Sequence, residues 1–240
     1  MNNIFYCSSF INNIGTLSEQ ESMHCKGVLR KKIGEHIIVT DGLGNENKCV
    51  ITDQNKRSCV VQVIKSKFHS PLRYHILVAI SPIKNNSRFE CFLEKATELG
   101  VNEITPIVCT RTEKAKLNYD RLNQILISAM KQSGQYYLPK LNEAIAFNQF
   151  VKENSSINKF ICFVDNRNTE MLFNQKLNGN NSTVMIGPEG DFTNEEIDLA
   201  LENGFIKTSL GKSVLRTETA GVIGVHSLQI AHQTIEASIR

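Results

Sequence analysis

The sequence predicts an α/β protein in two parts, a short all-β front followed by a parallel sheet covered by helices. Three observations predict it. Residues 1–73 hold short β-branched runs separated by turn signals. From residue 74 onward, apolar strand-like runs alternate with segments of helical periodicity, the pattern of a parallel sheet with helices on its faces. The composition, 41% hydrophobic and 21% charged over 240 residues, is that of a globular chain long enough to bury a core without staples.

In the front part, HIIVTDG, KCVITDQNKR and SCVVQVIKSK read as strands, with Asp41-Gly42 and Asp53-Gln54-Asn55 as turns, giving a small barrel or meander. The segment ESMHCKGVLRKKIGE interrupts them with three consecutive cations, Arg30, Lys31 and Lys32. Pro71, in KFHSPLRY, marks a boundary, so the expected domains are 1–72 and 73–240. YHILVAIS then reads as a strand. NSRFECFLEKATELG reads as a helix, with Phe89, Phe92, Leu93, Ala96 and Leu99 on one side and Gly100 at its end. EITPIVC is the next strand, and YDRLNQILISAMKQSG the next helix, with Leu122, Ile125, Leu126 and Ala129 on one side. KFICFVD and STVMIG read as buried strands. TNEEIDLALENG is a helix whose Thr193 and Glu196 stand at capping-box spacing. TETAGVIGVHSLQIAHQTIEASI reads as a long, mostly apolar final helix.

Composition excludes several classes. No apolar run approaches the ~20 residues of a membrane-spanning helix, and MNNIFYCSSF lacks the layout of a signal peptide. A soluble cytoplasmic protein is therefore expected. Seven cysteines, without a Cys-x-x-Cys, fit buried reduced thiols better than disulfides or zinc, and no metal is expected. His226 and His232 read as packing residues on the last helix. The net charge of +3 is unevenly spread. Residues 1–73 carry ten basic and six acidic side chains, and the remainder carries 17 and 18. A basic front suits a phosphate-bearing partner as well as it suits a lysine-rich surface.

Two loops carry the functional signal. In VMIGPEGDF an apolar run stops at Gly-Pro-Glu-Gly before a helix. In SLGKSVLRTETAG a short strand gives way to a turn and then to the last helix. Ligands of open parallel sheets sit at the carboxyl ends of the strands, and glycines let backbone approach them. Hydroxyls and a carboxylate at a helix start are also ordinary caps, which is the plain reading of Thr217, Glu218 and Thr219. Standard nucleotide motifs are absent. Gly211-Lys212-Ser213 has Ile206 where a P-loop needs its first glycine, and Gly42-Leu43-Gly44 is followed by Asn47 where the dinucleotide fingerprint needs its third. No Gly-x-Ser-x-Gly elbow occurs.

IGPEGDF followed by LGKSVLRTETA resembles the paired signature of the RsmE family, in the SPOUT class of RNA methyltransferases. HCKGVLRKKIGEHIIVTDGLGN resembles that family's N-terminal PUA-like segment, and SPIKNNSRFECFLEKATELGVNEITPIVCTR its first catalytic block. The resemblance implies an α/β fold made of a SPOUT-type trefoil-knotted catalytic domain with a small N-terminal β-barrel (PUA-like) domain. It also implies S-adenosylmethionine as cofactor and a homodimer. The implied reaction is methylation of uracil N3 at one uridine of 16S ribosomal RNA in the small ribosomal subunit. Two departures stand out. Asp191 replaces a glycine of the family's loop, and Lys131 and Gln135 stand where the family often has Glu and Arg.

Carried onto this chain, the resemblance makes Ile186, Gly187, Glu189, Gly190, Leu210, Gly211, Leu215, Thr217 and Thr219 the expected cofactor-binding residues. Uracil N3 must lose a proton, and the resulting charge spreads to O2 and O4. Arg216 is the expected cation for that charge and Glu218 the expected carboxylate. Lys212 and Arg88 are alternative cations and expected RNA contacts. Arg30, Lys31, Lys32, Lys56 and Arg57 are expected to meet phosphates. Two other readings stay open: a non-catalytic RNA-binding or assembly protein, and an enzyme of the same class acting on another RNA.

Overall fold

The computed structural model describes residues 4–55, 57–113, 116–164 and 170–238, without the side chains of 236–238; Lys56 lies outside them. The chain forms two compact units, one of residues 1–71 with 127–138 and one of 72–126 with 139–240.

The first unit is a five-stranded sheet of β1 (Ile4–Tyr6), β2 (Ile14–Leu17), β3 (His36–Thr40), β4 (Asn45–Gln54) and β5 (Cys59–Phe68), in the order β1-β3-β4-β5-β2. Only the β1–β3 pairing is parallel. A short helix α1 (Glu19–Met23), capped by the Ser18 hydroxyl, runs into a π-helical turn at His24–Val28. One face of the sheet buries Phe5, Leu17, Ile37, Val39, Ile51 and Val61 with four cysteines, Cys7, Cys25, Cys49 and Cys59. Burial pushes the Cys25 and Cys49 thiols up to about 12, so both act as small protonated hydrophobes. Residues 127–138 complete this unit. Leu138 N–H donates to Gly42 O and Gly44 N–H to Tyr136 O, each at 2.9 Å, and the Tyr137 hydroxyl donates to His69 O at 2.6 Å. Gly44, at φ +97°, leaves room for the Tyr137 ring, which any Cβ there would strike. Lys131 pairs with the buried Glu21, so the first of its two family departures has a local partner.

The second unit is a parallel sheet of β6 (His75–Ile80), β7 (Glu103–Val108), β8 (Lys140–Leu141), β9 (Ile145–Ala146), β10 (Asn158–Cys162), β11 (Asn181–Ile186) and β12 (Ile206–Thr208). Its order is β12-β10-β11-β6-β7-β8, with β9 also beside β7. Its helices are α2 (Asn86–Glu98), the first part of α3 (Tyr119–Gln132), α4 (Phe147–Glu153), α5 (Asn194–Glu202) and α6 (Thr217–Ser238).

Consecutive apolar residues in the carboxyl halves of the central strands, Val78–Ile80, Phe160–Cys162 and Val184–Ile186, let both faces be buried. Ala79, Ile161 and Met185 join Phe147, Phe150, Ala200 and Phe205 of the α4 and α5 side. Ile80, Val184 and Ile186 point the other way, toward Gly221 and Gly224 of α6. The capping box of α5 forms as its spacing predicts, with Glu196 N–H donating to the Thr193 hydroxyl and Thr193 N–H to the Glu196 carboxylate. Gly100 follows α2 at φ +82°, the left-handed residue that lets the chain leave a helix. His232 is buried, stacked on Tyr74 and bonded to Ser182 at 2.9 Å, the packing role expected of it.

Gly221 shows how closely α6 approaches α2 and the sheet. A Cβ on it would fall 2.6 Å from the fully buried Phe92 ring and 2.8 Å from Ile80. Gly221→Ala should therefore overpack the core and lower unfolding stability by about 1–3 kcal/mol, measured by urea denaturation. A change under about 0.5 kcal/mol would show that the approach is looser than described.

Candidate active site

All strands of the second unit run the same way, so their carboxyl ends and the loops after them collect along one edge. β12, β10 and β11 are neighbours, with Cys162 paired to both Thr208 and Ile186. The loops leaving these three strands enclose a cavity of ≈ 600 Å³. It is lined by Cys162–Val164 at the end of β10, Ile186–Glu189 and Asp191 at the end of β11, Ser209–Arg216 after β12, Thr217 and Ala220 of α6 and Arg88 of α2. The two motifs singled out in the sequence, 27 residues apart at Gly187 and Val214, thus meet in one cleft.

Each loop has a local reason for its shape. A Cβ on Gly187 would lie 3.1 Å from the Phe192 ring, so glycine lets the chain turn tightly over that core residue. Asp191 N–H donates to Pro188 O at 2.9 Å, closing the turn. Asp191 stands in the left-handed region, at φ +61°, where aspartate is tolerated better than most side chains. The departure from glycine is put to use, because its carboxylate accepts from Val164 N–H at 2.9 Å and from Phe192 N–H at 2.8 Å. The loop after β11 is thereby tied to the loop after β10. Across the cleft, the Ser209 hydroxyl and Gly211 backbone exchange hydrogen bonds of 3.1 Å, holding the turn that Gly211 makes at φ +139°.

The charges are arranged around Arg88, in the first turn of α2. Its Nε and Nη2 donate to the two carboxylate oxygens of Glu218 at 2.7 and 2.6 Å, and its Nη1 lies 3.7 Å from Glu189. One guanidinium thus joins the start of α6 to the Gly-Pro-Glu-Gly loop. Burial works to raise the Glu218 carboxyl, but the Arg88 hydrogen bonds and the helix-start backbone outweigh it, and the group sits below the usual carboxylate range. Arg216 and Lys212 line the cleft, are exposed, and form no ion pair with any described residue.

Of the expected cofactor residues, Ile186, Gly187, Glu189, Leu210, Gly211, Leu215 and Thr217 line the cavity, as do Arg216, Lys212 and Arg88. Gly190, Thr219 and Glu218 do not. Gly190 turns its carbonyl to Arg111 Nη1 at 2.6 Å, and Glu218 acts on the cleft through Arg88. Arg30, Lys31 and Lys32 belong to the first unit, where Lys31 is engaged by Glu35 at 3.4 Å. The sequence reading missed Cys162, Phe163 and Val164. The position of KFICFV as a buried strand was the available signal, since its carboxyl end had to lie beside that of STVMIG.

A family model described as an RNA methyltransferase domain matches residues 70–229, and one described as an RNA methyltransferase PUA domain matches residues 17–64. Among curated relatives, the ribosomal RNA small subunit methyltransferase E of Rickettsia conorii is 26% identical over 233 residues, covering 95% of both chains. That of Mesomycoplasma hyopneumoniae is 31% identical over 180 residues, covering 72% of this chain and 76% of the relative. The crystal structure of a ribosomal RNA small subunit methyltransferase E from Neisseria gonorrhoeae bound to S-adenosylmethionine superposes with a TM-score of 0.85 at 27% identity, covering 95% of this chain and 97% of that one. The chain belongs to the RsmE family of RNA methyltransferases.

Proposed function

We propose that this chain is an S-adenosylmethionine-dependent methyltransferase that methylates uracil N3 of one uridine in 16S ribosomal RNA of the small ribosomal subunit. In this reading residues 73–240 form a trefoil-knotted catalytic domain and residues 1–72 a PUA-like β-barrel that binds RNA. The protein acts in the cytoplasm as a homodimer. The observation that carries the reading is the convergence of the Gly187 and Leu215 loops on one cleft at the carboxyl edge of a parallel sheet.

The cleft suits the cofactor. Its volume is that of a small-molecule site. Gly187 and Gly211 expose backbone, and Ile186, Leu210 and Leu215 supply apolar contact. When bound, S-adenosylmethionine supplies a methyl group on a sulfonium sulfur, open to in-line displacement. The protein's share is positioning. Arg88 holds Glu218 and stands beside Glu189, fixing the start of α6 against the Gly-Pro-Glu-Gly loop. Arg216, exposed in the cleft and without an ion-pair partner among the described residues, stabilises the negative charge that develops on the uracil oxygens. Glu218, held ionised by Arg88 behind the lining of the cleft, takes up the N3 proton through water.

The deciding experiment incubates small ribosomal subunits from a strain lacking the activity with the protein and S-adenosylmethionine, followed by nucleoside mass spectrometry. One N3-methyluridine per 16S RNA is expected. A methyl group on ribose, or methylation of transfer RNA alone, contradicts the reading.

Three variants test the roles. Arg216→Ala should lower turnover about 10²-fold while leaving the cofactor Kd within about threefold; equal losses in both would make Arg216 a binding residue. Arg88→Lys keeps a charge but loses the bidentate fork, and should weaken cofactor binding and turnover together, on the order of tenfold. An unchanged cofactor Kd would remove Arg88 from the cradle. Because the Glu218 carboxyl is depressed, it stays ionised from neutrality down to below the ordinary carboxylate range, about pH 4. Its contribution to stability is likewise present above that range and lost as pH falls through it. The pH–rate profile should therefore show no Glu218 limb between about pH 5.5 and 8. An acid limb in that interval that disappears in Glu218→Gln would contradict the assignment.

A further inference from the structure

The first unit carries a second basic cluster that its strand alternation hides. In β5, Cys59, Val61 and Val63 face the core, so strict alternation would turn Lys65 and Lys67 inward with them. The ladder shows otherwise. Cys49 pairs with Val63, but the next residue back on β4, Lys48, pairs with Lys65. Ile64 is the extra residue of a β-bulge, 54% exposed. The bulge shifts the parity of everything after it. Lys65 and Lys67 therefore emerge on the outer face of the sheet with Lys48, and all three are exposed. Bulges re-aim side chains in this way where a strand has a task beyond packing.

The charges on this face are not balanced. Lys48 and Lys65 are direct cross-strand partners, a like-charge pairing that destabilises a sheet. None of the three lysines forms a salt bridge with a described residue. Glu46 stands opposite Lys67 on the same face, its carboxylate 2.7 Å from the His69 ring, which stacks on Tyr136 at 4.2 Å, and Asp53, opposite Val60, lies further along the ladder. By contrast, Lys31 in the earlier basic run is engaged by Glu35.

We propose that the outer face of the β4–β5 ladder, with Lys48, Lys65 and Lys67 presented by the Ile64 bulge, is the surface on which the first unit holds the phosphate backbone of ribosomal RNA. This rests on the function proposed above. Three cations without a salt bridge among the described residues, set on a rigid ladder, match a row of phosphates and read no base, so they supply affinity and salt dependence rather than sequence choice. The repulsion between Lys48 and Lys65 is relieved when phosphates enter between them.

The test measures binding of full-length protein to small ribosomal subunits at several salt concentrations. Lys48→Gln/Lys65→Gln/Lys67→Gln should weaken binding at least tenfold and flatten the slope of log affinity against log salt by about two to three. The cofactor Kd should stay unchanged. Arg30→Gln/Lys32→Gln should change the slope less. Lys65→Glu adds a readout that a purely structural role would not give, since it should raise thermal stability by removing the like-charge pair while lowering RNA affinity. A triple variant with wild-type affinity and slope overturns the proposal, as does a Lys65→Glu protein that binds RNA normally. If instead wild-type protein neither binds nor methylates the subunit, the underlying functional reading fails, whatever the lysine variants do.

Discussion

The bidentate ion pair between Arg88 and Glu218 is the contact on which the cleft depends. It joins residues 130 positions apart, and it fixes the first turn of α2 to the first turn of α6. With Glu189 3.7 Å from the same guanidinium, one cation sets the distance between the two loops that must act together. A partly exposed pair of this kind contributes little to global stability. Its value lies in geometry, because planar two-point contacts hold orientation as well as distance.

The parallel sheet makes such a contact possible. Because β10, β11 and β12 lie side by side and point the same way, three loops are delivered to one edge without long excursions. Small residues then let the layers close. Gly221 and Gly224 bring α6 down onto Ile80, Val184 and Ile186, so the helix that carries Glu218 is seated on the same strands whose ends form the cleft. Asp191 adds a stitch between two of the loops, at a backbone angle that aspartate can hold. Core packing and site geometry are therefore one construction in this unit.

Much of this was legible in the sequence, for identifiable reasons. The alternation of strands and helices, the Thr193–Glu196 capping box and the left-handed Gly100 are local signals, and local signals survive without tertiary context. The two cleft loops were legible because glycine, proline and charge interrupt apolar runs there. What escaped the reading is nonlocal. The strands Ile4–Tyr6 and Ile14–Leu17 are too short for alternation to show, and the two-residue strands β8 and β9 exist only by pairing with β7. The grouping of residues 127–138 with the first unit depends on backbone bonds to Gly42 and Gly44. The partners of Arg88 and the Ile64 bulge follow from register and packing, which no single segment encodes.

The central claim is that the loops after β11 and β12 form one cradle for the methyl donor. Backbone hydrogen exchange followed by mass spectrometry, with and without S-adenosylmethionine, tests it directly. The account predicts that residues 186–191 and 209–217 gain protection together, at the same cofactor concentration, while the five-stranded sheet of the first unit is unchanged. Protection confined to one of the two loops, or appearing elsewhere in the chain, would contradict it.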